Sequence, residues 1–160
     1  MPNFQNLPLG PLHVNAAAGA PLLLMLPLPG DTPWRLVSAS FCPDADVAAH
    51  GTDAVKLQVL SGDGTYAVAE WSSKSDAQGA LTNGSPVVVP MASRGATYYG
   101  ADHAQAAGNS DPSPVRIAVS HEGSGQAISG QLLLVMAREA RTEAYELSLI
   151  HISEPTRLTR

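Results

Sequence analysis

Short apolar runs alternate with polar residues along most of this chain, and each run is closed within a few residues by Gly, Pro, Asn or Asp. That pattern constrains the fold more than any other feature, because alternation at period two fits a half-buried strand and not a helix. Val55-Lys56-Leu57-Gln58-Val59 places Val55, Leu57 and Val59 on one face, and Val115-Arg116-Ile117-Ala118-Val119 repeats the arrangement. Reading the chain this way gives eight candidate strands: 13–18, 22–28, 34–41, 55–60, 66–71, 87–91, 115–120 and 131–138. Ser61-Gly62-Asp63-Gly64 reads as a hairpin turn, and Gly123-Ser124-Gly125 as a second turn. The best helical window, 136–146, shows no convincing apolar stripe. Eight short strands with turns between them and no helical alternation predict an all-β antiparallel sandwich, with an eight-stranded jelly roll as the leading topology.

Residues 1–12 stand apart. Pro2, Pro8 and Pro11 exclude a helix or an interior strand there, so the segment reads as an extended arm. Its Phe4, Leu7, Leu9 and Leu12 are the candidate anchors for a partner. The domain proper is then expected over 13–146. One connection, 92–114, is long for a compact domain, and such loops are commonly functional or unstructured. Within it, Tyr98, Tyr99, Asp102 and His103 form a candidate recognition loop, since tyrosines bring large contact area at small entropic cost. The opposing reading makes the tyrosines core plugs beneath the loop.

The remaining polar groups argue against most chemistries. A net charge of −5 with only 9 Lys and Arg residues gives no basic patch for nucleic acid. The apolar stretch 16–28 lacks a basic residue before it and is interrupted by Pro21 and Pro27, so it fits neither a signal peptide nor a membrane span. Cys42 is the sole cysteine, which removes disulfides and thiolate metal sites, and it reads as a small buried hydrophobe beside Phe41. His13, His50, His103 and His121 are not at ligand spacing, so no metal and no cofactor is expected. Asp44-Ala45-Asp46 opens like a calcium loop but lacks the glycine and the closing glutamate, leaving a strand-end turn. Ser120-His121-Glu122 offers a nucleophile, a base and an acid in sequence; neighbours on a strand point to opposite faces, so they do not form a triad. Gly123-Ser124-Gly125 has Ile128 where a dinucleotide fingerprint needs its third glycine. Asn83-Gly84-Ser85 fits a glycosylation acceptor pattern but reads as a turn. No enzyme is expected.

Two resemblances add to this reading. Residues Leu147 to Arg157 resemble the translation of a transposon-type sequencing adapter, which implies that 147–160 is a non-native tail and that the native sequence is followed only to about residue 146. Without Glu154, Arg157 and Arg160 the net charge moves from −5 to −6. The second resemblance is carried by Trp34–Ser40, by Asp53–Leu60 ending at a glycine-rich turn, by Ala80–Gly84, and by Val115–Gly125 leading into Ile128–Val135. Their order resembles the jelly-roll capsid decoration or cement proteins of tailed bacteriophages. The resemblance implies a virion structural protein that binds the major capsid protein lattice as a homotrimer, with no nucleic-acid or membrane partner, made in the host cytoplasm and carried on the capsid surface. The alternative it leaves open is a carbohydrate- or receptor-binding module of a phage fibre. A metal-dependent enzyme of cupin architecture is disfavoured because the histidines are not paired along one strand.

Overall fold

In a computed structural model of the chain, residues 4–28, 34–92, 98–99 and 114–139 are described. They form an all-β, jelly-roll-like antiparallel sandwich of strands β1 (Phe4–Ala16), β2 (Leu22–Leu26), β3 (Trp34–Pro43), β4 (Val55–Leu60), β5 (Ala67–Ser72), β6 (Val87–Val88), β7 (Tyr98–Tyr99), β8 (Val115–His121) and β9 (Ile128–Glu139). The pairing is nested. β4 pairs with β5, β3 with β6, β2 with β8 and β1 with β9, as in a long hairpin whose tip is the β4–β5 turn. Rolling that hairpin brings β9 against β3 and β8 against β4. The result is one sheet in the order β1-β9-β3-β6, with β7 also on β3, and a second in the order β2-β8-β4-β5.

The alternation read from sequence sets which face is inside. β4 and β8 bury every second residue, and Val55, Leu57, Val59, Val115, Ile117 and Val119 meet Leu132, Leu134 and Met136 of β9 across the sandwich core. Trp71, Tyr99 and Phe41 are the bulkiest wholly buried side chains. Burying each such group contributes on the order of 1.5–3 kcal/mol. The Ser61–Gly64 turn forms as expected: Gly64 takes φ +77°, and the Ser61 and Tyr66 backbones close the loop at 2.9 Å.

Three expectations change. Residues 4–12 are not an arm off the domain; they are the first part of β1, paired with β9 from Phe4↔Glu139 to Leu12↔Leu132. The prolines do keep this strand out of the sheet interior. Pro8 lies on an edge strand, and Pro11 falls in a bulge between Leu9 and Leu12 where the ladder is interrupted. Tyr98-Tyr99, expected in a loop, is a two-residue strand on Trp34 and Arg35. Cys42 is half-buried rather than a core residue, because in β3 it follows inward-facing Phe41 and so takes the outer face.

Candidate interaction surfaces

The outer face of the β1-β9-β3-β6 sheet is apolar or uncharged across its centre. Leu133, Ser40 and Val88 form one cross-strand row, and Pro8, Val135 and Ser38 form the next. Val37 occupies the bulge between Leu36 and Ser38, beyond the second row, and Val37, Leu133 and Val88 are all exposed, Val88 at 72%. The charged groups lie at the ends: Arg35 at one, and at the other His13, whose Nε2 lies 3.6 Å from the Asp44 carboxylate.

The outer face of the other sheet is charged around β4 and β5, whereas Leu23 and Met25 stand exposed at its β2 edge. Lys56 reaches Glu122 at 2.9 Å and Glu70 at 4.0 Å, Lys74 reaches Glu122 at 2.8 Å, and Gln58 donates to Glu70 at 2.6 Å. Hydrogen bonds from Lys74 and then Lys56 hold the Glu122 carboxyl below its ordinary value, and Glu122 in turn raises Lys74. Such a half-exposed, saturated network is a solvated surface.

A third surface runs along one side of the sandwich, where β1 and β2 are the edges of the two sheets. Leu7, Leu9 and Leu12 of β1, Leu22, Leu24 and Leu26 of β2, and Leu28 just beyond are seven leucines that pack on the core yet stay partly exposed. The opposite side is closed, because the chain after β6 lies along β5: Glu70 N–H donates to the Pro90 carbonyl at 2.9 Å and Ala92 N–H to Val68 at 2.8 Å.

The structure sorts the expected site residues. Leu7, Leu9 and Leu12 face inward along the open seam, so they are half-buried packing groups rather than free anchors. Phe4 is placed by its backbone pairing with Glu139 alone. Tyr99 is not a recognition residue: its ring is wholly buried and its hydroxyl donates to the Leu60 carbonyl at 2.8 Å. Burial, with Tyr66 nearby, pushes its phenol pKa well up. Tyr98 is a β7 residue on Arg35, while Asp102 and His103 lie outside the described residues.

The motifs weighed for chemistry separate in space. Ser120 Oγ donates to Gln58, His121 Nε2 donates to the Gln126 carbonyl at 3.0 Å, and Glu122 serves the two lysines. Asp44 accepts from Ser129 and Asp46 from the Asn83 N–H, so the two carboxylates do not converge. Among the described residues no group of three His, Cys, Asp or Glu side chains is placed to hold a metal. The lysine–glutamate network was not read from sequence, because its members come from three separate stretches of the chain; only the period-two placement of Lys56 hinted at it.

No family model matches the chain. No curated protein matches it in sequence. The chain is distantly similar to solved structures of the VP2 subviral particle of infectious bursal disease virus (11% identity, TM-score 0.35, 86% of this chain and 33% of that one), maize chlorotic mottle virus (14%, 0.37, 85% and 92%), and Bacillus endospore appendages that form disulfide-linked pili (12%, 0.34, 87% and 90%). The chain thus spans about a third of the VP2 chain. At these scores no argument about fold or function is drawn from the likenesses.

Proposed function

We propose that this chain is a non-enzymatic structural subunit of a tailed-phage virion that decorates and stabilises the capsid lattice. The observation that carries the reading is the outer face of the β1-β9-β3-β6 sheet. Val37, Leu133 and Val88 stand exposed on a strand-built, uncharged surface, with charge only at its ends. Exposed apolar side chains gathered on one rigid face are a feature of docking sites. A sheet face is also rigid before contact, so little ordering entropy is lost when it meets a shell. The order of strand and turn segments that resembles decoration proteins points to the same partner, the major capsid protein. The three-fold ring that this resemblance implies has no separate support among the described residues.

The test is co-sedimentation with shells assembled from the major capsid protein of the phage that carries this gene. The wild-type chain is expected to sediment with the shells and to raise their rupture temperature. Val88→Lys with Leu133→Lys is expected to abolish both effects while the isolated chain keeps its melting temperature. Attachment that survives this double substitution would remove the sheet face from the proposal, and no attachment by the wild type would end it.

A further inference from the structure

Sheet edges carry unpaired backbone groups and are normally guarded by prolines, bulges, shortness, charge or cover. Three of the four edges in this sandwich are guarded. β1 carries Pro8 and the bulge at Gly10–Pro11. β6 is two residues long, and β5 is covered by residues 90–92. β2 is the exception among the described residues. Leu22-Leu23-Leu24-Met25-Leu26 pairs with β8 on one side only and has no charged residue. Leu23 and Met25 are each 51% exposed on its outer face, and Leu22, Leu24 and Leu26 are left half-buried on its inner face.

The strand is also its own complement. Pro21 and Pro27 lie three residues to either side of Leu24. Antiparallel pairing of two copies about a two-fold axis through Leu24 sets Leu22 opposite Leu26 and Leu23 opposite Met25. It leaves both prolines, which have no N–H to give, just outside the ladder. Every side chain in that ladder then meets an apolar partner. We propose that β2 is a homodimerisation edge, with a second copy of this chain as its occupant, joining the two four-stranded sheets into one across a two-fold axis. The isologous symmetry follows from the strand's self-complementarity. Continuity of the inner-face leucines, left half-buried among the described residues, fits this occupant: the second copy extends the core there.

The proposal is tested on the full chain alone, so its outcome is independent of capsid attachment. Sedimentation across a concentration series is expected to show a monomer–dimer equilibrium. Leu23→Lys with Met25→Lys is expected to weaken it at least about tenfold, as two charges placed on a pairing edge should. Val88→Lys with Leu133→Lys is expected to leave it unchanged. Register is read separately in a Cys42→Ser background. A mixture of the Leu23→Cys and Met25→Cys variants is expected to cross-link into a covalent dimer under mild oxidation, and neither variant alone. A wild type that stays monomeric, a trimer, a dimer indifferent to the lysines, or cross-linking of the single variants with themselves would each overturn the proposal.

Discussion

At the residue scale the chain is held by a few positions whose demands are stereochemical. Gly10 takes φ +109°, and a Cβ there would lie 2.7 Å from the Leu132 carbonyl oxygen and 2.8 Å from the Leu12 nitrogen. Both contacts are to backbone and cannot swing away. Gly10→Ala is therefore expected to destabilise the fold by more than about 1 kcal/mol, read as a lowered midpoint in denaturant. Asp63 shows the electrostatic counterpart. The Ser61 hydroxyl at 2.6 Å, then the Thr65 N–H and hydroxyl, hold its carboxylate at a pKa of about 2, against an ordinary 3.8. Because the folded value is the lower one, the turn's contribution is fully present above about pH 4 and is lost as pH falls toward 2. Solvent around this turn keeps the effect on stability small, so the sharper measurement is the NMR titration of Asp63 itself. Ser61→Ala is expected to move that midpoint up toward the ordinary value; an unmoved midpoint would mean the hydroxyl is not the main cause.

At the element scale, legibility followed period and length. Val55–Leu60 is legible to the residue because five alternating residues, Val55 to Val59, lead through Leu60 into the Ser61–Gly64 turn. β7 was missed because a two-residue strand has no period, and Tyr99 was undecided between plug and recognition because aromatic residues serve both. Its fate is set by the Leu60 carbonyl, 39 residues earlier, which no local pattern announces. β6 was read as five residues and is two, since the chain crosses to the β5 edge at Val89–Pro90. The proline rule placed residues 4–12 correctly outside the sheet interior but could not choose between an arm and an edge strand. That choice depends on β9, which extends far enough to pair with all of it. The ladder order predicts unequal stability. β9, β8 and β4 are paired on both sides, whereas β2 and β1 are paired on one. Amide hydrogen exchange in dilute protein is expected to be slowest in the first three and fastest in β2, with β2 protection rising as concentration favours the dimer.

At the scale of the whole molecule, the two ends of the chain are expected to differ in kind. The β1 segment up to Leu12 supplies three leucines to the core and most of the outer ladder of its sheet. Removing residues 1–12 is expected to cost at least about 2 kcal/mol, even at half the burial value of each leucine. It would also expose β9 as a new unguarded edge. For a domain of ordinary marginal stability that is a large fraction of the total, so the truncated chain should aggregate or melt many degrees lower. Loss of capsid attachment on that truncation would consequently say nothing about an anchoring arm, and the surface lysine variants are the proper probes of attachment. The other end behaves oppositely if Leu147–Arg160 is adapter-derived sequence, never selected alongside the core. Deleting residues 147–160 is expected to leave the thermal midpoint unchanged. A stability loss above about 1 kcal/mol, beyond what surface changes normally cause, would show that the tail had been drawn into the fold. Comparing the two truncations in one denaturant series separates them: the first shifts the midpoint and the second does not.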